Sequence, residues 1–460
     1  MSYSSLSDFS GKKVMIIGAG LSGVAAANLL SDTGADITLF DANAKKALSE
    51  ESIRAKLCGT LGGRIVLGDI PEDCRQYLDV LILSPGVPKD LPFVTLMEKK
   101  GTFVIGEIEL AYYCAKGSIV GITGTNGKTT TTALTGHILS KVFENTIVVG
   151  NIGTPYTELV GKTTDDGVTV AELSSFQLDT ISTFRPDVSM VLNITPDHLD
   201  RHHTMKNYIA AKMNIASNQR PEDICVLNYE DATLRECANG LTPRVVWFSS
   251  KRPLEDGLFY DSGKIWYAEK GENTLICETD KLLLIGIHNY ENVMAAVAAA
   301  LYFKVPLDVL REALYSFKPV EHRIEYVATK NGVKYYNDSK GTNPDASIQA
   351  VKAMNAPTYL IGGGYDKGAD YSEWIECFGD RIKHLVLMGQ TREAIAECAR
   401  KHGFEAITFV ESMEEAVDFC ASHAAAGENV LLSPCCASWG MFKNYEERGR
   451  IFKELVNALH

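Results

Sequence analysis

Ten residues, Gly121-Ile-Thr-Gly-Thr-Asn-Gly-Lys-Thr-Thr130, combine glycines at 121, 124 and 127 with a lysine followed directly by two hydroxyls. The glycines let backbone N–H groups approach a polyphosphate, Lys128 can reach its β- and γ-phosphates, and the Thr129 hydroxyl can sit on Mg²⁺. An apolar strand, Ser118 to Thr123, leads into the loop and a helical pattern opens near Lys128, the order such a grip requires. Standard spacing would put a glycine six residues before the lysine, where Ile122 stands. A bare strand-to-helix turn accounts for the glycines but not for Lys128 followed by Thr129 and Thr130.

Other candidates also follow apolar runs. Gly18-Ala-Gly-Leu-Ser-Gly23, with Asp41 ending the next strand, has the spacing of a dinucleotide fingerprint, the glycines for close phosphate approach and the acid for a ribose hydroxyl. NAD, another nucleotide and a purely structural turn all remain open for it. Ser84-Pro85-Gly86 follows a fourth strand, where open α/β sheets place ligands, and is equally readable as a Pro-Gly turn. Further on, Glu172 ends a strand, Thr195-Pro-Asp-His-Leu-Asp-Arg201 follows another, and Lys212 lies on a helix beside Ala210 and Ala211. Near a triphosphate, Glu172, His198 and Thr129 suit Mg²⁺. Taken alone, a histidine such as His198 is more often structural and a helical lysine such as Lys212 more often a solvated face. Asn337-Asp-Ser-Lys-Gly-Thr-Asn343, Gly362-Gly-Gly-Tyr-Asp-Lys-Gly368 and Ser433-Pro-Cys-Cys-Ala-Ser438 each follow a strand, and their lysines and hydroxyls suit an anion with more than one carboxylate.

Alternating strands and helices must hold these loops, and the alternation restarts twice. The first block runs Lys12–Ile17, Ser22–Leu30, Asp36–Phe40, Ile65–Leu67 and Val80–Ser84, a doubly wound parallel pattern. The second carries the phosphate loop, strands Val168–Leu173, Val188–Asn193 and Ile224–Asn228, a hairpin over Leu258–Tyr267, and helices Asn289–Phe303 and Leu307–Phe317. Phe317 to Arg323 breaks the periodicity as a linker. The third has strands Val333–Asn337, Tyr359–Ile361, His384–Met388 and Val430–Leu432. Domains are therefore expected over 1–112, 113–318 and 319–460. A net charge of −13 argues against nucleic acid or an anionic membrane as partner. Eleven scattered cysteines without a C-x-x-C pair suggest neither disulfides nor zinc. With no basic-then-apolar leader and no membrane-length apolar run, a cytoplasmic protein is expected.

The ordered set Gly-Thr-Asn-Gly-Lys-Thr, Gly150-Asn-Ile-Gly153, Glu172-Leu-Ser-Ser-Phe-Gln177, Thr195-Pro-Asp-His-Leu-Asp-Arg, Ala-Ala-Lys212, His288-Asn, Glu321-His-Arg323, Asn-Asp-Ser-Lys-Gly-Thr-Asn and Leu432-Ser-Pro-Cys-Cys-Ala-Ser438 resembles the Mur ligase family. These are ATP-dependent amino-acid ligases that build the peptidoglycan stem peptide. The resemblance covers nearly the whole chain and implies an α/β fold of three domains: an N-terminal Rossmann-like domain for the UDP-sugar, a central P-loop ATPase-like domain and a C-terminal Rossmann-like domain for the amino acid. The Asp-Ser-Lys-x-Thr-Asn run and Phe442-Lys-Asn-Tyr-Glu-Glu-Arg-Gly449 are similar to the D-glutamate-adding member, and the Asp-Asn-Pro-Arg-type motif of the diaminopimelate- or lysine-adding member is absent.

By that resemblance, the substrates are UDP-N-acetylmuramoyl-L-alanine, D-glutamate and ATP, acting with two Mg²⁺ ions on a monomer. Gly18, Gly20, Leu21, Ser22, Asp41, Asn43, Ser84, Pro85 and Gly86 would bind the UDP end, and Asn151, Ser174 and Gln177 would line the path of the muramoyl group. Gly124, Thr125, Asn126, Gly127, Lys128, Thr129, Thr130, Asn289, Asn292, Arg323 and Asp338 match the ATP positions. Lys340, Thr342, Lys367, Ser438 and Tyr445 match those for D-glutamate, Tyr445 standing where phenylalanine is expected. Lys128, Glu172, His198 and Lys212 would carry the catalysis, with Thr129, Glu172, His198 and Lys212 on the metal, Lys212 as a carbamate. A folylpolyglutamate-type ligase shares the loop but not the first glycine block, and an NAD-binding oxidoreductase or regulator would instead bind nicotinamide at Gly18–Gly23.

Overall fold

The computed structural model describes residues 4–42, 49–57, 63–151, 153–366 and 368–459. Asn43 and Lys367 lie outside them. The chain divides into two compact units, Met1–Glu278 with Glu291–Leu314, and Thr279–Tyr290 with Tyr315–His460.

The first unit holds two sheets. The first has the order Gly63–Leu67, Asp36–Asp41, Lys13–Ile17, Val80–Leu83, Phe103–Gly106, all parallel. Its central strands are fully apolar (Val14 to Ile17, Val80 to Leu83) because helices cover both faces. The strand order reverses between Lys13–Ile17 and Val80–Leu83, so the loops leaving those two strands part and open a crevice. Gly18 and Ser84 begin those loops. The helix Leu21–Leu30 follows the first, and Gly23 is required at its start: a Cβ there would stand 1.7 Å from the Gly18 carbonyl oxygen.

The second sheet has nine strands in the order Glu272–Glu278, Lys264–Glu269, Gly257–Asp261, Arg244–Ser249, Ile224–Asn228, Val188–Val191, Ser118–Thr123, Val168–Glu172, Thr146–Gly150. Six of its strands pair in parallel from Thr146–Gly150 to Arg244–Ser249, and the Gly257–Asp261 strand joins them in parallel before the chain turns antiparallel through the expected hairpin. The hairpin gains a third strand, Glu272–Glu278, which the sequence hides because its outer half is polar and exposed. The phosphate-loop strand Ser118–Thr123 is flanked by Val168–Glu172 and Val188–Val191, so loops from three neighbouring carboxyl ends converge.

In the second unit a six-stranded sheet runs Glu325–Lys330, Val333–Asn337, Asn429–Leu432, Thr358–Gly362, Ile382–Leu387, Ile407–Phe409. The first pair is antiparallel and the rest parallel. The edge strands Glu325–Lys330 and Ile407–Phe409 lack any fully buried residue, which is why they carry no apolar run to read. One face packs around Trp374, Phe378 and Leu385, the other around Tyr335, Val386 and Phe452. No described helix is long and apolar enough to cross a membrane.

Candidate active site

At the crevice of the first sheet lies a cavity of about 990 Å³ lined by Gly18, Gly20, Leu21, Ser22, Asp41 and the Ser84-Pro85-Gly86 turn, eight of the residues expected to bind the UDP end. Its walls also include Phe40, Ile70, Arg75 and Phe93, none of which the motifs single out. Asp41 Oδ2 accepts the Ala19 N–H at 2.9 Å, so this carboxylate braces the glycine loop as well as facing the cavity. Ser84 Oγ donates to the Gly18 carbonyl at 3.3 Å, tying the two loops. The turn is closed by the Val87 N–H on the Ser84 carbonyl.

The phosphate loop is wound on its own carbonyls. Gly127 has φ +85°, and a Cβ there would stand 2.3 Å from Asn292 Oδ1, so only glycine fits between the loop and the helix Ile287–Tyr302. Asn292 Oδ1 also accepts the Thr131 hydroxyl at 3.2 Å. Asn193, at the end of the neighbouring strand's run, holds Asn126 from both sides: its Oδ1 accepts the Asn126 N–H at 2.8 Å and its Nδ2 donates to the Asn126 carbonyl at 3.1 Å. Thr125 Oγ1 shares a hydrogen bond with the Tyr208 hydroxyl at 3.1 Å. Thr129 and Thr130 are buried in the first turn of the helix Lys128–Leu139.

Two lysines converge here. Lys128 Nζ donates to the carbonyls of Gly124 and Thr125 at 2.8 and 2.9 Å, and Lys212 Nζ donates to the same Gly124 carbonyl at 2.7 Å. Lys212 is buried on the helix Met205–Met213, its Nζ 4.7 Å from the centre of the Tyr208 ring. Burial, and secondly the charge of Lys128, draw its ammonium down from the usual 10.5 to about 6, with Asp197 opposing. At neutral pH its amine is largely uncharged.

Glu172 is buried at the end of its strand, with Oε1 accepting from Asn151 Nδ2 at 2.9 Å. Its Oε2 is buried and has no hydrogen-bond partner among the described residues. Ser174 and Gln177 cap the short helix Ser175–Leu178 reciprocally. His198 caps the helix Leu199–His202 in a left-handed conformation (φ +52°), half exposed, with Nε2 3.5 Å from Asp197 Oδ2 and its ring 4.9 Å from that of Phe176. Glu321, His322 and Glu325 are the only trio of carboxylate and imidazole groups near enough to share an ion among the described residues. Lys453 pairs with both carboxylates, at 2.9 and 2.5 Å, so an internal cation already offsets part of that trio's charge.

In the second unit the loops after Val333–Asn337, Thr358–Gly362 and Asn429–Leu432 leave adjacent carboxyl ends, as the three motifs imply. Asp338 is buried, accepting the Ser433 hydroxyl on Oδ2 at 2.7 Å and the Ile324 N–H on Oδ1 at 3.3 Å. Desolvation pushes its carboxyl up to about 7, against the hydrogen bond from Ser433 and the charge of Arg323. Lys340 Nζ lies 5.2 Å from the centre of the Tyr445 ring. Thr342 N donates to the Lys340 carbonyl at 2.9 Å, and Ser438 is buried.

Arg448 lies in the Phe442–Gly449 run and has no role assigned to it by the resemblance. Nearly fully buried, it donates from Nε to Ser339 Oγ at 3.0 Å, from NH2 to the Ser339 carbonyl at 2.7 Å and from NH1 to the Cys436 carbonyl at 3.1 Å. It thereby joins the loop of Lys340 and Thr342 to that of Ser438. Asn289 and Arg323, expected at ATP, belong with Asp338 to this unit, and Asn292 to the first.

Residues 12–106 match the N-terminal domain of MurD-like Mur ligases, 122–300 the Mur ligase middle domain, and 322–436 the glutamate ligase domain of Mur ligases. The UDP-N-acetylmuramoylalanine--D-glutamate ligase of Lachnoclostridium phytofermentans is 57% identical over 452 residues, covering 98% of this chain and 99% of that protein. The ligase of the same name from Clostridioides difficile is 43% identical over 98% of this chain and 100% of its own length. The crystal structure of UDP-N-acetylmuramate-alanine ligase from Thermotoga maritima shares the fold, with a TM-score of 0.58 at 19% identity over 97% of this chain and 99% of that one. MurF from Acinetobacter baumannii does likewise, with a TM-score of 0.60 at 16% identity over 96% and 93%. With three Mur ligase domain models matched in order along the chain and 57% identity to a relative over 98% of it, the chain belongs to the Mur ligase family.

Proposed function

We infer that the chain is an ATP-dependent ligase joining D-glutamate to UDP-N-acetylmuramoyl-L-alanine through an acyl phosphate, a step of peptidoglycan precursor synthesis. Full-length identity of 57% to a ligase named for that reaction carries the reading. We place the reaction in the cytoplasm, on a monomer.

The first step sets two anions against each other, the L-alanyl carboxylate and the γ-phosphoryl group of ATP. Lys128 supplies positive charge where the phosphates lie, and the loop's N–H groups add to it, so that the carboxylate oxygen can attack phosphorus in line and ADP leaves. The amine of D-glutamate then attacks the acyl carbon, loses a proton, and inorganic phosphate departs; no covalent bond to the protein forms. In the second unit, Lys340, Thr342, Ser438 and Tyr445 are the groups we assign to the two carboxylates of D-glutamate, together with Lys367. Holding both carboxylates orients a single face of the α-carbon, which is how the site would refuse L-glutamate.

Mg²⁺ fits the first unit. The unpartnered buried Oε2 of Glu172 is a hard oxygen donor, and Thr129 and His198 are the other side chains we assign to the ion. When bound, the ion would offset phosphate charge. An ammonium at Lys212 would oppose a cation, whereas its largely neutral amine can take up CO₂ to a carbamate, an anionic oxygen ligand. We assign it that role.

Release of ADP, measured with UDP-N-acetylmuramoyl-L-alanine and each candidate amino acid, tests the reading. Turnover is expected with D-glutamate and little with L-glutamate; comparable rates with L-lysine or diaminopimelate would refute the D-glutamate assignment.

A further inference from the structure

Arg201 ends the Thr195-Pro-Asp-His-Leu-Asp-Arg run, three residues past His198, and its side chain leaves the second sheet's loops for those of the first. NH1 donates to the Gly86 carbonyl at 3.2 Å and NH2 to the Val87 carbonyl at 2.6 Å, both in the turn that walls the large cavity. The guanidinium carbon sits 4.2 Å above the Phe176 ring, and that ring lies against His198 at 4.9 Å and stacks on His202 at 5.3 Å. His202 is itself pinned, with Nε2 2.9 Å from Ser175 Oγ. The Arg201 N–H donates to the His198 carbonyl at 3.1 Å, so side chain and backbone act on the same helical turn.

We propose that Arg201 is a positioning residue for the ligase reaction, holding the Ser84–Val87 turn in register with Phe176 and His198 so that a substrate anchored at the turn presents its distant carboxylate correctly. The inference rests on the reading that this turn carries the diphosphate end of the UDP-sugar. Geometry supports it beyond a packing role. Val87 N–H is already used within the turn and Pro88 has no N–H, so beside the Ser84–Gly18 tie the two carbonyls bound by Arg201 give the turn a second hold, from the loops of the other sheet. A planar fork donates to both at once while its face rests on Phe176, which a lysine cannot reproduce. A long substrate converts a small tilt of its anchored end into a large displacement at its reacting end, and misplacement by about 1 Å can cost about a hundredfold in rate.

The test compares Arg201→Ala, Arg201→Lys, Phe176→Leu and the Arg201→Ala/Phe176→Leu double variant in the full-length enzyme. It measures kcat and KM for UDP-N-acetylmuramoyl-L-alanine, the affinity for UDP alone by calorimetry, and Tm. Arg201→Ala is expected to lower kcat by about ten- to a hundredfold while UDP affinity stays within about twofold, with Arg201→Lys intermediate. Because Arg201 acts through the Phe176 ring, the double variant should lose less than the product of the two single losses. An unchanged kcat in Arg201→Ala, a loss of UDP affinity matching the loss of rate, or strictly multiplicative losses would overturn the proposal. Should Arg201→Ala fail to fold, Arg201→Lys and Phe176→Leu still decide it by their split between kcat and UDP affinity. Failure of the ligase reading shows separately, as a wild-type enzyme without turnover.

Discussion

Asp338 shows how burial alone sets a residue's chemistry. Its carboxyl is held at about 7 by desolvation, above the ordinary 3.8, so the folded chain keeps a proton that the unfolded chain releases. The associated stability is fully present below pH 3.8 and is lost as pH rises through 7. Asp338→Asn, which mimics the protonated form, should therefore gain on the wild type by about 3 kcal/mol between pH 5 and pH 8, read from denaturant unfolding at the two pH values. An equal difference at both would mean the carboxylate is ionised throughout. Lys212 presents the opposite case, a cation made neutral by burial. Lys212→Arg keeps a positive charge and cannot form a carbamate, so it should retain ATP binding by calorimetry yet lose most turnover, and bicarbonate should restore activity only to CO₂-depleted wild type. A fully active Lys212→Arg enzyme would remove the carbamate from the account.

Loops at strand ends take their shape from a few buried polar side chains rather than from their own composition. Arg448, on the helix Tyr445–Ala458, satisfies Ser339 and Cys436 with three hydrogen bonds, and the same helix begins at Tyr445, whose carbonyl accepts the Ser339 hydroxyl at 2.8 Å. Replacing Arg448 by Met keeps much of the volume and strands those acceptors. Arg448→Met should cost about 2–4 kcal/mol in stability, and the KM for D-glutamate should rise more than that for ATP as the two loops lose register. Equal effects on both KM values would place Arg448 in general support of the fold. Asn193 does similar work for Asn126 in the phosphate loop. Neither role was legible beforehand: Arg448 stood only as one member of the Phe442–Gly449 run and Asn193 only as the end of a strand, and the partners that give them their roles lie far away in sequence.

The first unit places the glycine-lined cavity, which we assign to the UDP end, and the phosphate loop at the carboxyl ends of two different sheets. Removing charge from one site should leave the other nearly intact. Lys128→Ala is expected to abolish acyl phosphate formation, followed as ADP release, while calorimetry finds the UDP-sugar bound about as well as by wild type. Loss of that binding too would show that the substitution unfolds the unit or that the sites are coupled.

Strand and helix order, the phosphate loop and the three lysine- and hydroxyl-bearing loops were legible in the sequence because each depends on neighbours within about ten residues: an apolar run, a glycine, a lysine. Ser118–Thr123, Ile224–Asn228 and Val333–Asn337 lie where periodicity puts them. Edge strands such as Glu325–Lys330 and Glu272–Glu278 were missed, since a strand half exposed at a sheet margin has no reason to be apolar. Only the tertiary structure decided which loops meet. It brought Lys212 to the Gly124 carbonyl across 88 residues, Arg201 to the Gly86 turn across 115 and Arg448 to Ser339 across 109. It also decided their chemistry, because the burial that lowers the Lys212 ammonium and raises the Asp338 carboxyl comes from the packed chain around them, which no local spacing encodes.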